Sequence, residues 1–564
     1  MMTSRRRVCL VALVLGLAIF PATAAAPGAS GIGTSDLKEW LTYIASDELQ
    51  GRGNYSLGLG LAAAYIQDHL RTWGVKPAGD AGSYLQTVRV LGVRATSHSS
   101  ITVQVGRETR MFKDGDGVVF PKNVGGRRTL TLDRVELVGY GLEAPSIHQG
   151  DYDGKSVQDA AVVWLGGRGP KGFDAERYRT LLAGRNRYAT DQQSAAAVMT
   201  DQSSSQAARR RPQGRDADSS PAPGAAPAGQ AADFTTSERL DKPVPPAVTG
   251  SEAFMSFLFS RAPVHYEELK RRADAQEPLP SFRLDGVKIT FNIAADYAIV
   301  RTQLTENVVG IVEGTDSRLK DTYVAFGAHY DHLGYSEAEV SGGTLRPPRS
   351  GRLTPGAVND RIWNGADDDG SGTIAVMALA RAFAGGARPR RSLLFTWHAG
   401  EEIGIYGSRY FADHPTVPID AMVAQLNIDM IGRNRDDKAS EANTVYLVGS
   451  DRISRELDEV SREADRAMDH PMTLDYELND PADPEQLYYR SDHYSYAAKG
   501  IPVIFFTTGL HPDYHTNTDE VSKIVFDKMA RIVELVYQTG VRVANLDHAL
   551  ATDRPRPRAG QGAK

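Results

Sequence analysis

Between positions 323 and 519 this chain alternates short apolar runs with helical stretches, and small clusters of histidine and carboxylate recur beside them. The runs at 323–327, 392–397, 422–428, 444–448 and 501–507 are rich enough in Val, Ile, Leu and Phe to read as strands buried on both faces. Helical patterns at 373–384, 453–467 and 523–543 separate them, an order that specifies an open α/β sheet. Several acid and histidine clusters fall at or just after strand ends, where such a sheet presents its ligand crevice.

Five candidate metal ligands lie in these clusters, each in its own motif. They are His329 in G-A-H-Y-D, Asp368 in G-A-D-D-D-G-S-G, Glu402 in A-G-E-E, Asp429 in N-I-D-M-I-G and His515 in P-D-Y-H-T-N-T-D. A lone histidine or carboxylate pair is usually a satisfied core or surface group, but five in series are hard to assign to chance. Imidazole nitrogen and carboxylate oxygen are the donors a catalytic zinc accepts, with a further position left open for water. The only cysteine, Cys9, stands near the N-terminus, so thiolate has no part in the site.

With S-D-E-L-Q-G-R (46–52) and Y-Y-R-S-D-H-Y-S-Y-A-A-K-G-I-P-V-I-F-F (488–506), these motifs resemble the co-catalytic di-zinc aminopeptidases. That group includes aminopeptidase Y, bacterial secreted aminopeptidases and the glutamate carboxypeptidases, and the resemblance runs from about 34 to about 545, poorest near 190–245. It implies a zinc-peptidase α/β fold, phosphorylase/hydrolase-like, with a mixed and mostly parallel sheet between helical layers. It implies two zinc ions per subunit, Asp368 bridging them, with His329 and Asp429 completing one site and Glu402 and His515 the other. The family pattern places the bridge on Asp368 rather than Asp367 or Asp369, followed by a cis peptide.

The same resemblance gives the neighbouring residues their roles. Glu401 is the general base that takes a proton from a zinc-bridging water and returns it to the leaving amine. Tyr514 resembles a tyrosine that stabilises the oxyanion, and Arg490 a substrate-contacting arginine. Asp331, two residues after His329, is placed to accept the imidazole's free N–H, and Asp519 to do the same for His515. His332, His398, His493 and His511 are read as structural or surface residues.

The implied activity is hydrolysis of the N-terminal peptide bond, with peptide or protein N-termini as substrate. A zinc glutaminyl cyclase or a carboxypeptidase of the same fold is the alternative, and a non-catalytic binding protein is disfavoured by the intact ligand set and Glu401. No G-x-S-x-G occurs, which removes a serine-hydrolase reading. With 64 basic against 70 acidic residues, net charge −6, nothing suggests a nucleic-acid partner.

At 564 residues the chain has room for more than one domain. Residues 1–24 carry a signal-peptide pattern: Arg5–Arg7, an apolar run over 8–20, then Ala22-Thr23-Ala24. The run is short for a membrane span, so the expectation is a periplasmic or secreted protein without stable membrane insertion. The catalytic domain is expected over 31–130 and 296–545, beginning with helices at 34–46 and 57–73. An insertion at 131–295 resembles the protease-associated domain, with V-G-Y-G-L-E-A-P, D-Y-D-G and A-A-V-V-W-L as its signature. Within it, the Ser/Gln/Ala/Pro-rich stretch 200–247 reads as a disordered linker, and 546–564 as a disordered tail. A polar Gly/Pro-rich loop at 336–358 joins two ligand motifs and is placed to border the cleft.

Overall fold

The computed structural model describes residues 31–209, 231–336, 347–348 and 350–553. The proposed export segment 1–24 lies outside these residues, as do 210–230 of the expected linker, 337–346 and 349 of the loop, and 554–564 of the tail.

Helix α1 (Thr34–Ile44) buries Leu37, Trp40, Leu41 and Ile44, one face at helical spacing. Helix α2 (Leu57–Thr72) is capped by Ser56, whose hydroxyl accepts from Leu59 N–H, and ends before Gly74 at φ +73°. Strands β1 (Leu85–Ser97), β2 (Ala295–Val312), β3 (Tyr323–His329), β4 (Ser392–His398), β5 (Met422–Ile428), β6 (Thr444–Val448) and β7 (Val503–Thr507) build the catalytic sheet. Its order is 234–236, β1, β2, β4, β3, β5, β7, β6, 473–475. The central strands β4, β3, β5 and β7 pair in parallel, while β1/β2, β2/β4 and β7/β6 are antiparallel. The sheet is thus mixed, parallel in its centre and again at its 473–475 edge.

All seven residues of β4 and of β5 are buried, because both faces of the sheet are covered. One face carries α1, α2, helix α3 (Gly372–Gly385) and helix α4 (Phe526–Asn545), packed around Phe326, Leu393, Phe395 and Ile504. Across the sheet, Val309, Leu394, Tyr446 and Phe505 meet Phe411 and Tyr496. Phe326 stacks on Phe395 at 5.4 Å, and α4 reaches it only because residue 540 is glycine: a Cβ there would stand 2.4 Å from the Phe326 ring. Each such buried side chain contributes roughly 1.5–3 kcal/mol.

The insertion is larger than the sequence suggested. A second ten-stranded sheet takes in Ser100–Val105, Glu108–Asp114, Gly117–Val119 and Arg128–Leu132, placed by the sequence reading in the catalytic domain. The boundary falls near 98 instead of 131, since Ser100–Val105 and Arg128–Leu132 both pair with Val287–Ile293. Their residues alternate as strand residues do, but their partner lies some 160–190 residues away.

The expected linker is also corrected at both ends. Ala197–Asp201 and Ala247–Gly250 pair in parallel, and Phe234–Thr236 adds to the edge of the catalytic sheet against β1. Such strands are held by backbone ladders, which need no apolar period. The tail likewise stays packed through 553: Leu550 is buried, and Asp553 N–H donates to Ile453 O.

Candidate metal centre

The five ligand candidates converge at the carboxyl edge of the parallel strands. His329 closes β3, Asp429 follows β5, and Glu401 and Glu402 stand in a turn three and four residues beyond β4. The next two strands in the chain, β4 and β5, flank β3 on opposite sides, so the chain reverses direction across the sheet there and leaves a crevice at its end. Asp368 precedes α3 in a segment whose Asp368–Asp369 peptide is cis. Gly365, at φ +55°, is required there, because a Cβ would come within 2.2 Å of Asp368 O.

Asp368 lies between the two histidines. Its Oδ1 is 3.3 Å from His329 Nε2, and its Oδ2 is 3.2 Å from His515 Nε2. His329 Nε2 is also 3.6 Å from Asp429 Oδ2, and His515 Nε2 is 3.1 Å from Glu402 Oε2. The other two aspartates of the run face elsewhere. Asp367 accepts Gly432 N–H and approaches His511 at 3.2 Å. Asp369 accepts the backbone N–H groups of His329, Gly372 and Met430.

The donor set fits divalent cations. Asp368, Glu401, Glu402 and Asp429 bring four carboxylates into one largely buried cleft, an excess of negative charge that needs cations or protons to neutralise it. Asp368 Oδ2 and Glu402 Oε1 are buried with no hydrogen-bond partner. Burial alone would lower the His515 pKa, yet Glu402 and Asp368 raise it to about 10. His329 Nδ1 faces the Asp331 carbonyl at 3.0 Å; a carbonyl can only accept, so Nδ1 carries the proton and Nε2 presents its lone pair to the cluster. Among the described residues, two triplets of ligating atoms lie within 4.8 Å of one another: His329, Asp369 and Asp429, and His332, Asp368 and Glu402. Asp369 is committed to backbone donors, which leaves Asp368 as the carboxylate shared between the two halves.

Two supporting residues act differently from expectation. The Asp331 carboxylate is 3.9 Å from His329 Nδ1; it accepts instead from Gly400, Glu401 and Glu402 N–H and from Asn54 Nδ2. It is the residue's own carbonyl that orients His329. Asp519 accepts from Asp367 and Asp368 N–H, fixing the aspartate run rather than His515.

Glu401, Tyr514 and Arg490 line the cleft with His329, Asp368, Asp429 and His515. Burial pushes the Glu401 carboxyl well above its usual range; His329 opposes this, and Glu402 and Asp429 add to it. Arg490 donates to Tyr514 Oη at 3.0 Å and to Glu485 Oε2 at 2.6 Å. The Tyr514 ring stacks on His515 at 3.9 Å. His398 and His493 are buried, and burial lowers both to about 3, in keeping with neutral core histidines.

Three contributors were not assigned to the site by the sequence reading. The fully buried Arg52 donates to the carbonyls of Ile44, Tyr330, Asn364 and Gly365, tying the N-terminal helices to two ligand loops. Its motif, S-D-E-L-Q-G-R, was the available signal. Ser491 donates to Asp429 Oδ2 at 2.7 Å. His332, read as a structural or surface residue, is instead in the site, with Nδ1 2.8 Å from Glu402 Oε1. The loop beyond 350 does reach the cleft: Arg352 N–H donates to His515 O, where His515 has φ +58°.

Residues 307–540 match the model of the family described as Peptidase family M28. A probable zinc metalloprotease of Pyrenophora teres f. teres is 28% identical over 141 residues, 25% of this chain and 26% of that protein. Leucine aminopeptidase 1 of Arthroderma otae is 24% identical over 240 residues, 41% of this chain and 56% of its own. The aminopeptidase from Aneurinibacillus sp. strain AM-1 aligns over 92% of this chain and 96% of its own, at 17% identity and a TM-score of 0.42. The chain spans about a quarter of the length of the first of these curated relatives and a little over half of the second.

Proposed function

With residues 307–540 assigned to peptidase family M28, we propose that the protein is an exported, zinc-dependent aminopeptidase. Asp368, His329 and Asp429 would hold one ion, and Asp368, Glu402 and His515 the other. Zinc bound there supplies Lewis acidity, polarising the scissile carbonyl and acidifying water.

The observation that carries the reading is the charge of the cleft. Among the described residues lining it, Arg490 is the one cationic side chain beyond the histidines and is already paired with Glu485, while Glu401 stands apart from the carboxylates that zinc would neutralise. Such a cleft offers a substrate carboxylate no free cation and keeps Glu401 to meet an ammonium, so the substrate's free α-amino group enters and sets the first carbonyl in place. Glu401, outside the ligand set, takes a proton from the attacking water and delivers it to the departing amine. Tyr514 Oη, oriented by Arg490, donates to the carbonyl oxygen as it gains charge. Met430, Leu487 and Phe505 form an apolar wall suited to a hydrophobic N-terminal side chain. Export is supported by the basic-then-apolar pattern of residues 1–24, and the insertion is read as protease-associated-like from its sequence signature. No helix among the described residues is long and apolar enough to cross a membrane.

The test is a panel of leucyl-type amides, their N-acetylated counterparts, N-terminal glutamine peptides and N-blocked peptides with free C-termini. The unblocked amides are expected to be cleaved, a chelator to stop cleavage, and zinc to restore it. Equal cleavage of acetylated substrates would overturn the aminopeptidase reading. Cyclisation of glutamine without release of an amino acid would favour the cyclase.

A further inference from the structure

The scheme above gives His332 no task, yet the side chain is sealed inside the site. It is 1% exposed, and neither ring nitrogen has a hydrogen-bond partner. Its Nδ1 lies 2.8 Å from Glu402 Oε1 and 3.9 Å from Asp368 Oδ2, and these two oxygens also lack hydrogen-bond partners. An imidazole buried with both nitrogens unsatisfied is costly unless a further partner takes up one of them. The ring is held in place by packing on Gly365, where a Cβ would come within 2.5 Å of it.

The 2.8 Å approach to Glu402 lacks the alignment of an N–H···O bond. Tetrahedral ligand atoms, each about 2.1 Å from one cation, stand about 3.4 Å apart, a separation that the 2.8 and 3.9 Å approaches of His332 Nδ1 to Glu402 and Asp368 bracket. The His515 ring stands on the same cluster, its centroid 6.0 Å from that of His332.

We infer that His332 is a further metal ligand, acting through Nδ1 at the position shared by Asp368, Glu402 and His515; the inference rests on the zinc reading of the site. That position then has four protein ligands, the number that closes a tetrahedral zinc site. The His329–Asp368–Asp429 position has three and stays open. The two positions are therefore unequal. The first retains its ion, and the second exchanges and faces the cleft with Glu401.

X-ray absorption on the zinc-loaded wild type reads this directly. Three imidazoles for two ions give about 1.5 per zinc, against about 1.0 if only His329 and His515 ligate. In a chelator titration followed by mass-spectrometric metal counting, the wild type is expected to keep one ion after losing the other. His332→Gln and His332→Ala are expected to lose that retained ion at a chelator concentration lower by at least about 100-fold. An imidazole count near 1.0 overturns the assignment, as does a variant that is less stable without metal yet keeps its ion as the wild type does. A wild type that binds no zinc fails the zinc reading itself, and this inference with it.

Discussion

Glu401 and Glu402 are adjacent in sequence and opposite in surroundings. Burial and Asp368 work against ionisation of Glu402, but His515 helps hold its pKa down to about 2; Glu401 faces the cleft and is held up. Glu401→Gln is therefore expected to bind zinc normally and to lower kcat at least about 100-fold. Loss of metal in that variant would show that base and ligand have been exchanged. Asp331 offers a sharper contrast. Its carboxylate holds the backbone of the 400–402 turn while its carbonyl, which mutation preserves, orients His329. Asp331→Ala should keep its zinc and lose roughly 10–100-fold in kcat through a displaced Glu401; zinc loss equal to that of Asp429→Ala would return Asp331 to the histidine-orienting role. The ligand motifs were legible because each residue type announces its chemistry. Asp331 and His332 were not, because a backbone carbonyl and a side-chain carboxylate at one position cannot be told apart by spacing, and the second histidine of H-Y-D-H gives no sign of which way it faces.

At the scale of elements, the segment from Leu487 to Ala497 forms one wall of the cleft and delivers Arg490 and Ser491 to it. The outer side of that segment is gripped by the insertion. The Arg187 guanidinium lies 3.9 Å over the Tyr489 ring and 5.5 Å over Tyr494, and Tyr494 Oη donates to Asp191. Arg187→Ala removes a buried cation–π contact of about 2 kcal/mol and leaves the ligands untouched. The expected result is KM raised about 3–10-fold with zinc content unchanged, since only substrate-facing groups are loosened; an unchanged KM would show that the wall holds itself. Strands β3 to β7 could be read from their apolar runs, as could α1 and α2 from their periodicity. The insertion's true start could not. Its first strands look like any β-rich stretch until Val287–Ile293 closes on them, and no local signal reports a partner that distant.

At the scale of the molecule, β1 and β2 form a long antiparallel ribbon. It pairs Leu85 with Val308 at one end and Ser97 with Ala295 at the other, and runs on into the insertion as Ser100 against Asn292. The two strands are separated by the whole insertion, so forming this edge of the catalytic sheet first would close a loop of about 200 residues, at a cost near 5 kcal/mol. A folded insertion already holds Ser100 beside Asn292, which leaves β1 and β2 to zip from a joined end. The topology thereby writes an order of assembly: insertion, then ribbon, then the sheet that carries the ligands. Phe254→Ala, in the insertion's core and far from the ligands in sequence, is expected to destabilise the insertion by about 3–5 kcal/mol and to slow the return of hydrolytic activity after dilution from denaturant. Activity that returns at the wild-type rate while the insertion is still unfolded would reverse that order.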